Sequence, residues 1–519
     1  MSKKVYWLIF SLIFTLGIFL IFYRLGQTQN FFYDVARDME TVRQMVVERK
    51  LTLLGPRTFF STGNTVETYF GPLHYYLIAI GLIFSRLDPI GPAFLTGLFG
   101  IFGGVLFFLF LRRTKIGPWF SLLGFFFYVI SPLIIIHSRF PWNPNFLPFF
   151  TVLILFLFKK FTEKEKFYWL LLLGFFSGCL FQLHYVAVGF ILSLIITLFF
   201  LKPVKFLSRI FYWIIGFIFG ISPMIIFELR HNFFLLKNIF SNLSFHSNSG
   251  NSGNFFLRIV DIYQTIISRF FGVSTYTQET MSLNNSLLGY ILSILFLIGF
   301  FYLIFSKKIK ERKMILFLSL VLFFSFLLGS FFQLSGQKRV EDRYFLSTLP
   351  VFITLLVFIL EVIKQKLNQF KNKFLLLKII IFSLIVIFIG FFNLKKDLEI
   401  INEKVGINSH SVNLQGAKEI SSIISNDVKE NKFEGKFNIA NIVDGNTRAI
   451  YYRYFLNVLD TKPLDVDKYP QTKILYVISD KNDKDTLKYP VWEIESFGPK
   501  KISGEWQTGY QVKIYRLIN

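Results

Sequence analysis

The chain has 519 residues, 53% of them hydrophobic, with a mean hydropathy of +0.52, more apolar surface than a soluble protein of this length can bury. Its formal net charge is +24, but most Lys and Arg sit in short clusters between long apolar blocks, and the 70 Phe residues lie mostly inside those blocks. That arrangement orients a protein in a bilayer and excludes a nucleic-acid groove, which needs basic residues interleaved with stacking aromatics.

In chain order, Lys3 and Lys4 precede an apolar run that reaches Tyr23 with no small-residue cleavage site after it, so an uncleaved first helix is expected. Further spans are expected at 91–111, 118–137, 142–158, 167–184, 186–201, 210–229, 286–306, 314–334, 344–363 and 375–393. Together with the first helix they make about eleven crossings of about 20 residues each. Segment 72–85 is also apolar, but it is short and begins Gly71-Pro72. With it left out, the clusters Lys3/Lys4, Arg112/Arg113, Lys159/Lys160, Lys202/Lys205, Lys307/Lys308 and Lys364/Lys366 share one side, as cytoplasmic loops do. Counting it as a crossing separates the first cluster from all the others. We therefore expect 72–85 to lie at the outer interface. The N-terminus is then cytoplasmic and 24–90, 138–142, 230–285, 335–343 and 394–519 face outside. The short basic inner loops and the Phe, Lys and Ile richness point to a bacterial cytoplasmic membrane. Cys179, the single cysteine, lies inside an apolar block and offers neither a disulfide framework nor a thiolate metal site.

The first outer segment, 24–90, is long enough to need a purpose beyond connection. Asp34–Arg49 reads as an amphipathic helix in which Asp34 and Asp38, four residues apart, share a face with Arg37 and Glu40 close by. Segment 230–285 contains the polar run Ser247–Asn254, which serves either as a hinge for a loop covering an outer-face site or as a plain connector. The transmembrane domain is expected to end at 393. Residues 394–519 read as a soluble, extracytoplasmic α/β domain. Its expected strands are Phe437–Val443, Lys473–Ser479, Val491–Ser496 and Gln511–Leu517, and its expected helices Leu414–Ser425 and Thr447–Leu456. It carries no phosphate-binding glycine loop, metal cluster or nucleophile motif, so recognition or packing is expected of it.

Four outer segments carry a family resemblance. They are Phe32-Tyr33-Asp34-Val35-Ala36-Arg37-Asp38, Gly71-Pro72-Leu73-His74-Tyr75-Tyr76-Leu77, Ser138-Arg139-Phe140-Pro141-Trp142-Asn143-Pro144-Asn145 and Asp342-Arg343-Tyr344-Phe345-Leu346. Over roughly residues 1–393 the chain resembles the GT-C membrane glycosyltransferases, nearest to glycosyltransferase family 39, the protein O-mannosyltransferases and the aminoarabinose transferases. The resemblance implies a polytopic GT-C-like helical domain and an inverting transfer at the outer face. A sugar, a hexose such as mannose, would pass from a polyprenyl-phosphate carrier to a glycan, lipid or protein acceptor, with membrane lipids as surroundings and no nucleic acid involved. Two departures stand out. The family's acidic pair Asp-Glu is here Asp34-Val35, and Asn143 and Asn145 occupy a turn that carries an acid in many relatives.

In such a transfer the phosphate leaves readily without protonation, so the site needs one carboxylate to take the acceptor's proton and cations to hold the phosphate. Asp34 is the expected base, with Asp38 second. Arg37, Lys338, Arg339 and Arg343 are the expected phosphate ligands, arginine being suited to bidentate contacts. His74, Tyr75, Arg139, Trp142, Asn143, His184 and Tyr185 are expected to line the sugar or acceptor site. No cofactor or metal is required. Each of these residues also has a structural reading: Asp34 with Arg37 as a surface pair, Arg343 as a snorkelling arginine, the histidines as packing residues. The alternative function, a transporter or flippase of lipid-linked saccharides, calls for ionisable or helix-breaking residues at mid-membrane, and the apolar blocks are nearly free of charge at their centres.

Overall fold

The computed structural model describes residues 2–58, 67–246, 255–273, 287–305, 311–333, 341–367, 375–409 and 411–519. It divides into two units. One comprises Met1–Tyr23, Leu51–Leu77 and Phe94–Ile400, the other Arg24–Lys50, Ile78–Ala93 and Ile401–Asn519.

The first unit is helical. Among the described residues seven helices are long and apolar enough to cross a membrane, and shorter apolar helices stand at Leu73–Phe84, Pro118–Val129, Phe167–Leu183 and Ala187–Leu201. The chain is a polytopic membrane protein. Leu73–Phe84 has 12 residues, about 18 Å at 1.5 Å per residue, too short for a hydrocarbon core of roughly 30 Å. Two segments expected as continuous spans are broken. Residues 118–137 form Pro118–Val129 and Pro132–His137, and 210–229 falls across Phe206–Gly220 and Ser222–Arg230. In each, a proline at the start of the second piece supplies no N–H for the helical ladder and crowds the preceding turn. The segment expected at 142–158 opens with a tight turn, Asn143–Phe146, before Leu147–Glu163.

Helices Phe167–Leu183 and Phe206–Gly220 approach each other backbone to backbone through Gly174, Gly178, Gly216 and Gly220. A Cβ on Gly174 would stand 2.0 Å from the Trp213 carbonyl oxygen, one on Gly216 2.0 Å from that of Leu171, and one on Gly220 2.3 Å from that of Phe175. Spaced glycines on both partners are the means by which helices associate where no hydrophobic effect drives them together. Elsewhere in this unit, Lys159 Nζ lies 2.7 and 2.9 Å from the Glu311 carboxylate oxygens, and the Lys115 N–H donates to the same carboxylate at 3.0 Å.

The second unit is built on a four-stranded sheet in the order Phe437–Asn441, Ile474–Ser479, Lys513–Ile518, Lys501–Gln507. The first pair is parallel and the others antiparallel. The edge strand Lys501–Gln507 is bulged between Ile502 and Gly504, and its Glu505 pairs with Lys513 at 2.6 Å. Leu475, Val477, Tyr515 and Leu517 form the core together with Ile494 and Phe497. The last two residues correct the sequence reading. The expected strand 491–496 is the short helix Trp492–Phe497, closed by Gly498 at φ +65°. Its apparent alternation is a three-residue spacing that turns Ile494 and Phe497 to one side. The missing strand is Lys501–Gln507, whose small, charged and partly exposed residues lack a clear period of two. Helices Leu414–Glu430 and Ile450–Val458 stand close to expectation, the second starting after Ala449 at φ +56°.

The stretch after the first helix is laced onto this domain. The Phe31 N–H donates to the Val412 carbonyl at 2.7 Å, and the Leu414 N–H to that of Gln29 at 3.1 Å. The Asn413 side chain caps helix Leu414–Glu430, accepting from the Gln415 and Gly416 N–H groups at 2.9 and 3.0 Å. Its amide donates to the carbonyls of Gln27 and Val405, both at 2.9 Å. The Phe31 ring packs 5.7 Å from Tyr454 and 5.4 Å from Phe455, and Asn457 donates to Glu40 of the acidic helix at 3.1 Å.

Two outcomes are expected. Gly216→Val removes the monodisperse size-exclusion peak of the detergent-extracted protein, while Gly445→Ala, whose Cβ meets nothing within 4 Å, leaves it intact. Asn413→Ala destabilises the protein by about 2 kcal/mol, through the lost cap and the orphaned carbonyls. That loss is read as a lower thermal midpoint, and Asn413→Asp, which keeps the cap acceptor, restores part of it.

Candidate functional site

Asp34 stands in the first turn of helix Tyr33–Glu48, where a carboxylate is favoured by the helix dipole. The Arg37 Nη1 donates to Asp34 Oδ1 at 3.0 Å, and its Nε and Nη2 donate to Asp38 Oδ1 at 3.0 and 2.8 Å. One guanidinium thus fixes both aspartates, as the i, i+3 spacing allows. Their surroundings differ sharply. The Asp34 side chain is 35% exposed and Asp38 is fully buried, so Asp34 is the carboxylate that a substrate can reach. Arg37, expected on the donor phosphate, is engaged instead by these two carboxylates.

Asp34 lines a cavity of about 500 Å³ together with Tyr33, Ser411, Asp444, Asn446 and Tyr451, all within the second unit. Asp444 shapes its wall. The carboxylate accepts from the Asn446 N–H at 2.7 Å and from the Asn441 amide at 2.8 Å. Burial raises the Asp444 carboxyl above the usual carboxylate range, against hydrogen bonds from Asn446, Tyr451 and Asn441 that favour the charged form. Burial first, and Asp444 second, push the Tyr451 phenol upward. Neither Asp444 nor Tyr451 was singled out from sequence. The turn signal Asp444-Gly445-Asn446 directly after a strand marks that place in the chain, but not the residues it meets.

In the first unit Arg343 follows the buried Asp342. Its guanidinium carbon lies 5.3 Å from the Trp142 ring centre and 5.2 Å from that of Tyr344. Glu341 is 3.8 Å from Arg343 Nε, beyond hydrogen-bond distance, and that Nε has no hydrogen-bond partner among the described residues. Two aromatic faces therefore hold the cation, and Glu341 balances part of its charge from beyond hydrogen-bond distance. His184 joins this cluster, with its ring 5.4 Å from Tyr344, edge to face, and 5.1 Å from Phe70. Asp342 itself is bonded to Arg269, both of them buried. Arg269 is a partner that sequence reasoning did not find.

Several expected sugar-site residues hold the fold instead. Arg139 is buried, donating to the carbonyls of Leu20, Ile21 and Tyr23 at 2.8, 2.7 and 2.9 Å. It closes the end of helix Lys3–Phe22, and the arginine on Trp142 is Arg343. Asn143 donates to the Leu183 carbonyl at 2.7 Å, and Asn145 pairs with His137 at 2.8 Å. Tyr185 is buried and donates to the Tyr69 carbonyl. His74 and Tyr75 are buried, with the His74 ring 5.9 Å from Phe146. Trp142 is half-buried under Arg343. Lys338, Arg339 and the run Ser247–Asn254 lie outside the described residues. Among the described residues no three His, Cys, Asp or Glu side chains gather as a metal would require.

No protein-family model matches the chain. Over 146 residues it is 30% identical to an uncharacterized protein of Aquifex aeolicus (strain VF5), a stretch covering 27% of this chain and only 29% of that protein's length. The structure is similar to two crystal structures of ArnT from Cupriavidus metallidurans. The one bound to undecaprenyl phosphate gives a TM-score of 0.61 at 10% identity, and the apo form 0.62 at 11%. Each comparison covers 99% of this chain and 98% of the other. At these identities the likeness is one of fold, and the chain has the ArnT-like fold of a polytopic helical membrane protein with a C-terminal sheet domain.

Proposed function

We propose that the chain is an inverting glycosyltransferase that moves a sugar, a hexose such as mannose, from a polyprenyl-phosphate carrier to an acceptor at the outer face of a bacterial cytoplasmic membrane. The observation that carries this reading is Asp34, a partly exposed carboxylate fixed by Arg37 at the edge of a polar cavity. A membrane protein of the same fold that binds undecaprenyl phosphate supports the choice of donor.

The reaction asks for one displacement. The acceptor oxygen attacks the anomeric carbon, Asp34 takes its proton, and the carrier phosphate departs with the bonding electrons, inverting the centre. Arg37 positions Asp34 and does no phosphate work. Within the helical unit we assign the carrier phosphate to Arg343, whose planar guanidinium, steadied by aromatic faces, is suited to phosphate contacts. From sequence, Lys338 and Arg339 are further candidate ligands for that phosphate. This reading calls on arginine rather than a metal as the phosphate's counter-charge. In this reading residues 1–393 hold the lipid carrier, and residues 394–519, outside the membrane, recognise the acceptor. The N-terminus is cytoplasmic.

Transfer of radiolabelled sugar from polyprenyl-phosphate donors by the purified protein tests both roles. Asp34→Asn is expected to lower turnover by about 10²–10⁴-fold, the range of a lost general base, with donor binding retained. Turnover that survives the change would remove Asp34 as the base, and folded wild type inert with every donor would point to lipid-linked saccharide flipping instead. Arg343→Lys keeps the charge but loses the stacked plane. It is expected to weaken donor binding about tenfold or more, and unchanged donor affinity would exclude Arg343 from the phosphate site.

A further inference from the structure

We infer that the cavity beside Asp34 is a subsite for a carbohydrate acceptor, taking a neutral or amino-bearing sugar ring and rejecting an anionic one. The inference rests on the proposed transferase reading for the role of Asp34, but not for the binding itself.

Size and position come first. About 500 Å³ falls within the roughly 300–1,000 Å³ of small-molecule sites and suits one sugar ring with its linkage. The wall formed by Asp444 and Asn446 follows directly on strand Phe437–Asn441, which pairs in parallel with Ile474–Ser479. The crevice beyond the carboxyl ends of parallel strands is where α/β sheets bind ligands. The wall is also rigid, since Asp444 is tied to Asn446 and Asn441 within its own turn.

Chemistry narrows the ligand. Tyr33 and Tyr451 bring flat apolar rings with polar edges, and Tyr33 is 49% exposed. Ser411, Asn446 and the two aspartates supply hydrogen-bonding groups for hydroxyls. Flat faces alternating with hydroxyl partners match a pyranose, which has an apolar face and a polar rim. Among the described residues no Lys or Arg lines the cavity, while two carboxylates do. A phosphate or uronate would meet like charge there, with Arg37 already engaged by Asp34 and Asp38. A lipid tail would leave the polar wall unsatisfied.

Saturation-transfer NMR of the full-length protein in detergent gives the test, with methyl glucoside, methyl mannoside, glucosamine and glucuronate as probes. Signal is expected for at least one of the first three and none for glucuronate. Tyr33→Ala, a change to a largely exposed ring that spares the fold, is expected to reduce that signal at least fivefold. Asp34→Asn keeps it while stopping transfer. The inference is overturned if no neutral or amino glycoside saturates a monodisperse protein, if glucuronate binds equally well, or if Tyr33→Ala changes nothing. Glycoside binding in a wild-type protein that transfers from no donor would sink the transferase reading and still support the subsite.

Discussion

Asn413 is bonded on four sides at once, twice as the cap of its own helix and twice through its amide to carbonyls of Gln27 and Val405. The placement of the candidate base depends on that one side chain. Gln27 leads within a few residues into Asp34, so the chain leaving the first helix enters the acidic helix from a fixed point on the C-terminal domain. Phe31 adds apolar weight through Tyr454 and Phe455, and Asn457 reaches Glu40 further along. A carboxylate that must take a proton within a fraction of an ångström of the right place needs this kind of support. Here it comes from a segment nearly four hundred residues later in the chain.

The helical unit sorts its arginines by what each is bonded to. Arg139 is turned to helix-end carbonyls, which attract its charge and need a donor. Arg269 is matched by the carboxylate of Asp342, and a buried ion costs least with such a partner. Arg343 rests between aromatic faces, where attraction to the ring quadrupoles steadies the cation but leaves its monopole intact. Glu341, 3.8 Å from its Nε, balances part of that charge from beyond hydrogen-bond distance.

The long apolar blocks were legible because lipid leaves the backbone no choice but to satisfy itself within helices. The breaks at Pro132 and Pro223 were in plain view as residues but lost in the average hydropathy of their blocks. The pair Asp34 and Arg37 could be read from spacing alone, since a helix brings such neighbours together whatever surrounds it. Arg269 with Asp342 could not, because that pairing needs two segments more than seventy residues apart to pack first. The cavity was invisible for the same reason, being assembled from three stretches of chain, none of which looks like a site by itself. The strand Lys501–Gln507 was missed because an outermost strand is only partly buried and carries a weak alternation. The neighbouring short helix imitated one.

That outermost strand has a consequence for life in a crowded membrane plane. An open strand with regular, unpaired N–H and C=O groups is a template on which a second copy can add. Here the bulge after Ile502 throws those groups out of step, and the paired charges of Glu505 and Lys513 sit beside it. A neighbouring sheet finds no continuous ladder to extend. Many copies can therefore stand side by side, each domain kept to itself along this margin of its sheet.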